Sequence, residues 1–108
     1  MTVKDFAEKY GYRILCLPDA AREIQGGYAG DLLSWVMGRL QPDCAWVTIM
    51  SNVNIVAVAS LADPACIILS ENVVPDEGVL SRAEQQGVNI LSTERTTFEA
   101  CSQIASAL

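Results

Sequence analysis

The sequence predicts an α/β fold: a small, mainly parallel sheet of four or five strands with helices on both faces. From residue 44 to the C-terminus, short apolar segments alternate with amphipathic helical segments, the order that builds parallel strands joined by helical crossovers. The strand segments are apolar on both sides, which is typical of a sheet covered by helices. No linker, repeat or low-complexity stretch divides the chain, so residues 1–108 are predicted to form one domain.

The N-terminal segment predicts a helix followed by a strand. Thr2 can cap the helix and Gly11 can end it. The apolar face of this helix comprises Val3, Phe6, Ala7 and Tyr10. Residues 13–17 are almost wholly apolar and stop at Pro18, which predicts a central strand of the sheet.

Residues 26–30 hold three glycines and predict a tight loop that leads into a helix. Residues 19–25, before this loop, are polar and predict an irregular link or a short edge strand. Asp31 lies at the start of the helix, where the helix dipole favours a carboxylate. The apolar positions of the helix are Leu32, Leu33, Val36, Met37 and Leu40, and it stops at residues 41–43.

Residues 53–62 fit two structures. The β-branched side chains favour a strand, and residues 51–52 could then form a hairpin turn. Three alanines, a polar N-terminal cap and the Asp63-Pro64 stop favour a buried helix instead. We favour the helix, and the strand stays open.

The remaining elements predict further βα units. Strands are predicted at residues 44–50, 65–69 and 88–91. A helix begins near Pro75 and ends at Gly87, with Val79, Leu80 and Ala83 on its inner face. Thr96 and Glu99 form a capping box for a C-terminal helix. The inner face of that helix is predicted to comprise Phe98, Cys101, Ala105 and Leu108.

Composition narrows the classes of partner and location. The net charge is −6, and the seven basic residues are scattered, which argues against binding to a nucleic acid backbone. The four cysteines form no Cys-x-x-Cys pair and the chain has no histidine, so we expect free thiols, no metal site and no cofactor. No signal peptide or membrane-spanning segment is evident, so the sequence predicts a cytoplasmic protein without a membrane partner. Because 51% of the residues are hydrophobic, we also expect a homodimer.

Three segments carry a family resemblance: residues 26–37, residues 65–69, and residues 90–93 with 96–100. Together they resemble the DRTGG domain family, which is similar to the N-terminal domain of bacterial HPr kinase/phosphorylase. The resemblance implies an α/β domain that serves as a regulatory or ligand-sensing module. Ser51-Asn52-Val53 stands here in place of the family's Asp-Arg, and Ser70-Glu71-Asn72 in place of its Thr-Gly-Gly.

The residues argue against catalysis. A P-loop needs Gly-x-x-x-x-Gly-Lys-Ser/Thr, and the glycines at 26–30 are followed by Asp31 without a lysine, so kinase activity is not expected. Cysteine catalysis needs a base, and the histidine that usually supplies it is absent. We therefore expect a non-catalytic regulatory module that binds a small molecule, such as a nucleotide, or a protein partner. The alternatives are a structural subunit of a larger complex and a small enzyme that uses a carboxylate such as Glu71 or Asp31 in a dry pocket.

Two groups of candidate binding residues follow. Ligands in open parallel sheets bind beyond the carboxyl ends of the strands. Hydroxyl, amide and carboxylate side chains follow three of the predicted strands, namely Ser51, Asn52, Asn54, Ser70, Glu71, Asn72, Ser92, Thr93 and Thr96. The same side chains are common in caps and turns, which is the alternative. The glycine segment supplies a second group for contact with a partner, namely Gly26, Gly27, Tyr28, Gly30, Asp31 and Trp35, with Trp35 in the core as the alternative.

Overall fold

A five-stranded sheet forms the centre of the computed structural model, which describes all 108 residues. The strands are β1 (Arg13–Cys16), β2 (Gly26–Ala29), β3 (Cys44–Thr48), β4 (Cys66–Leu69) and β5 (Ile90–Ser92). The helices are α1 (Val3–Tyr10), α2 (Leu33–Arg39), α3 (Asn54–Ala62), α4 (Val79–Gln86) and α5 (Thr97–Ala107). The strand order is β1-β5-β4-β3-β2; β2 to β5 are parallel, and β1 is antiparallel to β5.

Both faces of the sheet are covered by helices, as the sequence predicts. Alternate strand residues face opposite sides because side chains along a strand alternate between the two faces. Trp46, Ile67 and Ile90 pack on one side with α2, α3 and α4. Val47 and Ile68 pack on the other side with α1 and α5. The mixed α/β fold and its mainly parallel sheet are therefore confirmed.

Strand β1 corrects one prediction. It lies at the edge of the sheet rather than at its centre, and it runs against its neighbour. Arg13 and Ile14 are exposed, and only Cys16 of this strand is buried. An apolar run does not determine where a strand lies in a sheet, because that position depends on pairing with residues far along the chain.

The glycine segment corrects a second prediction. Gly26–Ala29 forms the edge strand β2, not a tight loop, and neither Gly26 nor Gly27 has a positive φ. These glycines allow close packing instead. A Cβ at Gly26 would lie 3.0 Å from Cys44 Sγ, and one at Gly27 would lie 3.0 Å from Ile104 Cγ2. The absence of side chains lets β3 and α5 approach this strand.

Helix α5 corrects a third prediction. Its buried residues are Ala100 and Ile104, whereas Phe98 is 82% exposed and Leu108 is also exposed. The helix is therefore turned by roughly one residue, about 100°, from the predicted orientation. Ile104 packs against Gly27, so the face of α5 that turns inward is set by the glycine strand.

The ambiguous segment is helical, as we favoured. Helix α3 begins at Asn54, whose backbone N–H donates to Asn52 Oδ1 at 2.9 Å. It ends before Asp63, which has a φ of 60°. Ile55, Val56, Val58 and Ala59 of this helix are buried.

The four cysteines are all free, and two of them lie in the core. Burial raises the pKa of the Cys66 thiol to about 12. At neutral pH this thiol is therefore protonated and packs as a small apolar side chain. The helices are all too short or too polar to cross a membrane.

Candidate functional site

A polar cavity of about 250 Å³ opens where β5 ends and β1 begins. Because the two strands are antiparallel, the start of β1 lies at the same sheet edge as the carboxyl end of β5, and Arg13 pairs with Ser92. No hydrophobic side chain lines the cavity. Its lining residues are Gly11, Arg13, Ser92, Thr93, Glu94 and Arg95.

Arg13 is held on one side of this cavity by neutral acceptors. Its Nε donates to Ser92 Oγ at 3.0 Å, and its Nη2 donates to Asn72 Oδ1 at 3.0 Å. A guanidinium carries five N–H donors, and two are used here, which leaves three. The position of the positive charge is therefore fixed while most of its donors stay available.

Arg95 is held on the other side in the same way. Its Nη2 donates to the Tyr10 carbonyl oxygen at 2.7 Å, and its Nη1 donates to Thr93 Oγ1 at 3.3 Å. The guanidinium carbon lies 5.1 Å from the centre of the Tyr12 ring. Burial of that ring raises the pKa of Tyr12 to about 12, so its hydroxyl stays protonated and donates to Gln103 Oε1 at 2.6 Å. Two of the five side-chain N–H groups of Arg95 are committed, and three remain.

Two buried hydroxyl groups complete the cavity. Ser92 is 2% exposed and Thr93 is 4% exposed. Ser92 Oγ accepts from Arg13, and Thr93 Oγ1 accepts from the backbone and side chain of Arg95. Neither hydroxyl donates a hydrogen bond within the protein, so each keeps a proton that can be offered to a bound molecule.

The cavity is electropositive within an acidic protein. The only basic groups that form ion pairs in the chain are the Met1 amino group and the Arg22 side chain. Arg13 and Arg95 therefore have no carboxylate within 4.0 Å. Glu94 is the one acidic residue in the lining, and it is exposed. Two unpaired guanidinium groups against one carboxylate leave the cavity with excess positive charge.

Comparison with known proteins identifies the family. The family model of the DRTGG domain matches residues 29–107. The chain belongs to the DRTGG domain family. This confirms the resemblance noted from the sequence. No curated protein matches the chain in sequence.

A solved structure of similar fold contains a DRTGG domain beside a second kind of domain. It comprises the CBS and DRTGG domains of the regulatory region of Clostridium perfringens pyrophosphatase, complexed with the activator diadenosine tetraphosphate. The TM-score is 0.75 at 10% identity, and the match covers 99% of the present chain. The match covers 47% of the other chain, so the present chain spans about half of its length. The likeness is one of fold.

In this DRTGG domain, the polar segments that follow two of the three predicted strands, β4 and β5, lie together. The Asn72 N–H donates to the Thr93 carbonyl oxygen at 2.9 Å, and the Glu71 N–H donates to the Arg95 carbonyl oxygen at 2.8 Å. Glu71 Oε2 in turn accepts from the Thr97 N–H at 2.9 Å. These contacts join the segment after β4 to the segment after β5.

Some of the predicted residues in these two segments contact the polar cavity, and the others lie at the start of α5. Ser92 and Thr93 line the cavity, and Asn72 holds Arg13 at its rim. Ser70 Oγ lies 2.7 Å from Thr97 Oγ1 at the start of α5. Thr96 caps α5 in a capping box with Glu99.

The polar segment that follows the third predicted strand, β3, forms hydrogen bonds with other parts of the DRTGG domain. Ser51 Oγ donates to Asp76 Oδ1 at 3.0 Å, and Asn52 caps Asn54 at the start of α3. The Asn54 side chain is exposed and makes no hydrogen bond. The Ser51 and Asn52 side chains thus make contacts within the fold, and none of the three residues lines the polar cavity.

The glycine segment forms a different surface, an apolar groove of about 240 Å³ between β2 and α5. The groove is lined by Gly27, Tyr28, Ala29, Cys101, Ile104, Ala105 and Leu108. Trp35 is 55% exposed with the Arg39 guanidinium 4.0 Å from its ring centre, so the alternative that placed it in the core is wrong. Asp31 holds the end of β3, where its Oδ1 accepts from Thr48 Oγ1 at 2.8 Å and from the Ile49 N–H at 2.9 Å.

The sequence interpretation missed four residues of the cavity: Gly11, Arg13, Glu94 and Arg95. Arg95 could have been found, because it is the one basic residue that follows closely after a predicted strand exit. Arg13 could not, because the sequence placed its strand at the centre of the sheet, and only the antiparallel pairing brings it to this edge.

Proposed function

We propose that this DRTGG domain is a non-catalytic regulatory module that binds a small molecule in the polar cavity. The observation that carries the proposal is a set of donors held in place and left uncommitted: two guanidinium groups and two buried hydroxyl groups around one opening. Such convergent polar groups are what a binding site uses to orient a ligand. We further propose that the domain acts in the cytoplasm, where its four free thiols stay reduced.

The carboxylates and thiols favour binding over catalysis. Asp31 and Glu71, named above for the enzyme alternative, are both exposed, and each accepts hydrogen bonds from its neighbours. Neither lies in the dry pocket that would prepare a carboxylate for acid or base chemistry. Burial raises the pKa of the Cys16, Cys66 and Cys101 thiols, which makes them poor nucleophiles at neutral pH.

Nucleotides are the first ligands to test. The regulatory region of Clostridium perfringens pyrophosphatase, which shares this fold, was solved with a dinucleoside tetraphosphate activator. That region also contains CBS domains, so its ligand supports the choice of nucleotides without locating a site here. The hydroxyl and guanidinium donors of the present cavity suit both phosphate and polar ligands.

A thermal-shift screen tests this function. The panel contains adenine and guanine nucleotides, dinucleoside polyphosphates and neutral metabolites. A ligand at about a hundred times its dissociation constant adds about 2.7 kcal/mol to stability, which shifts the melting temperature of a domain of this size by several degrees. We expect a hit whose shift is lost in Ser92→Ala and Thr93→Val.

Ser102→Ala is the matched control, because Ser102 is exposed on α5 and does not line the cavity. It should respond to the ligand like the unmodified protein. Unliganded melting curves of all variants separate loss of binding from loss of folding. A panel with no hit, or a hit that survives both cavity substitutions, would refute binding at this site.

As a second candidate function, we propose self-association through β2. The outer edge of β2 is paired with no strand, and Gly26–Ala29 lacks the lysine, proline or inward charge that usually protects an edge. The opposite edge of the sheet, in contrast, begins with a charged residue, Arg13. The occupant that fits β2 is a second copy, because two β2 edges related by a two-fold axis would run antiparallel and bring their two grooves together.

Sedimentation velocity tests the self-association. We expect a dimer at about 100 μM that dissociates in Ala105→Arg, because this change places a charge in the apolar groove. Ser106→Arg is the matched control: Ser106 is exposed on the same helix and does not line the groove. A monomeric parent protein, or equal dissociation by both variants, would count against β2 as the interface.

A further inference from the structure

The chemistry of the polar cavity specifies one class of ligand. Resting on the function proposed above, we infer that the cavity binds a phosphate group, held between Arg13 and Arg95, as the anchor of a phosphorylated metabolite. The side chains that line the cavity offer uncommitted N–H and O–H donors, and Glu94 is the one carboxylate among them. An acceptor-rich anion is therefore the complement of the site.

The hydrogen-bond donors reach the cavity from several directions, which favours phosphate over a carboxylate as the ligand. Arg13 reaches the cavity from β1, Arg95 reaches it from the segment after β5, and the buried hydroxyls of Ser92 and Thr93 lie between their attachment points. A carboxylate presents two coplanar oxygens, whereas a phosphate presents three or more oxygens arranged tetrahedrally. Donors on different strands match the second arrangement better, and guanidinium groups bind phosphate oxygens in pairs.

A second observation that favours an anionic ligand is that no carboxylate of the protein neutralises Arg13 or Arg95. The chain has thirteen acidic residues, yet neutral oxygen atoms orient both guanidinium groups. Arg13 donates to Ser92 and Asn72. Arg95 donates to Thr93 and to the Tyr10 carbonyl oxygen. Arg13 is exposed and Arg95 is half-buried, and a guanidinium group that no carboxylate neutralises is stabilised by an external anion. Arg22 illustrates the contrast, because it is paired with both Asp43 and Asp63.

The size of the cavity matches an anchor rather than a whole nucleotide. Ligand pockets usually enclose about 300–1,000 Å³. The 250 Å³ observed here holds about eight water volumes, which is enough for a phosphate group and the atoms bonded to it. The remainder of a larger molecule would extend over the sheet edge outside the cavity.

Nuclear magnetic resonance titration tests the inference on a chain of this length. Inorganic phosphate, pyrophosphate and adenosine monophosphate are added at low salt, and succinate serves as the carboxylate comparison. We expect amide shifts centred on Gly11 and Thr93 to Arg95, an affinity that falls as sodium chloride is added, and succinate binding at least about tenfold weaker. The free anions and the ester together distinguish a site for inorganic phosphate from one for a phosphorylated metabolite.

Matched charge variants locate the anchor. Arg13→Gln and Arg95→Gln should each weaken binding by about tenfold or more, the usual effect of losing a charge-assisted hydrogen bond. Arg82→Gln makes the same charge change at an exposed position on α4 away from the cavity and should change affinity by less than about twofold. Glu94→Gln removes the opposing carboxylate and should strengthen binding. Arg13 is exposed on an edge strand, so its variant tests the inference even where Arg95→Gln is too unstable to measure.

Three results would overturn the inference. The first is no shift at about 10 mM phosphate or pyrophosphate with no shift from the nucleotide, because a millimolar site would then be filled. The second is equal weakening by Arg13→Gln and Arg82→Gln. The third is a neutral ligand from the thermal screen that needs Ser92 and Thr93 but binds equally well to Arg13→Gln; in that case the proposed regulatory function stands and the phosphate anchor is wrong.

Discussion

Replacing Trp46 with alanine is expected to lower the free energy of unfolding by about 3–5 kcal/mol, the usual range for a large aromatic side chain removed from a core. Trp46 is fully buried in β3 and packs in the larger of the two cores with residues of α2, α3 and α4. Its indole N–H donates to the Gly30 carbonyl oxygen at 3.0 Å, so the substitution also removes the partner of that oxygen. Urea unfolding followed by far-ultraviolet circular dichroism measures the change.

The second tryptophan supplies the control for this prediction. Trp35 is 55% exposed, and the Arg39 guanidinium lies 4.0 Å from its ring centre. Trp35→Ala should therefore change stability by no more than about 1 kcal/mol. Trp46→Phe keeps most of the volume and should fall between the two, which leaves a measurable variant if Trp46→Ala does not fold. Equal losses at the two tryptophans would contradict the assignment of Trp46 to the core.

Replacing Asn89 with alanine is expected to cost about 2–4 kcal/mol, because three hydrogen bonds around a buried side chain are lost. Asn89 is 2% exposed. Its Nδ2 donates to the Asp19 and Ala65 carbonyl oxygens at 2.7 and 3.0 Å, and its Oδ1 accepts from the Asp19 N–H at 2.9 Å. The side chain thus joins the segment after β1 to the segments that precede β4 and β5.

Asn54→Ala is the matched control for this substitution. The Asn54 side chain is exposed and makes no hydrogen bond, so its loss should change the free energy of unfolding by less than about 0.5 kcal/mol. Urea denaturation measures both variants, and hydrogen exchange of the Asp19 amide reports the local contact. A stable Asn89→Ala protein with a protected Asp19 amide would show that other contacts hold this connection.

Local patterns in the sequence predicted most of the elements. Thr96 and Glu99 form the capping box of α5, and Thr2 caps α1, because caps depend on residues only three positions apart. Asn52 and the Asp63-Pro64 stop favoured the helix at α3 for the same reason. The nearly continuous burial of β3 and β4 follows from apolar runs that are covered on both faces.

The errors in the predicted fold share a dependence on distant residues. Gly26 and Gly27 have the composition of a turn, yet they form a strand because β3 pairs with them and Ile104 of α5 packs where a side chain would lie. The inner face of α5 follows from that contact, so the apolar stripe of the helix alone did not predict it. These outcomes depend on packing between segments that are far apart in sequence, which no local pattern contains.

The candidate site, like the fold, was predicted from the sequence only in part. By itself the sequence determined the family, the covered α/β sheet and the polar residues at the strand ends, including Ser92 and Thr93, because short-range patterns of apolar and polar residues specify those features. Only the tertiary structure decided that β1 runs against β5, and with it that Arg13 lies beside the same cavity as Arg95. The direction and neighbour of an edge strand are set by the whole sheet, since its backbone can form hydrogen bonds in either direction and side-chain packing makes the choice.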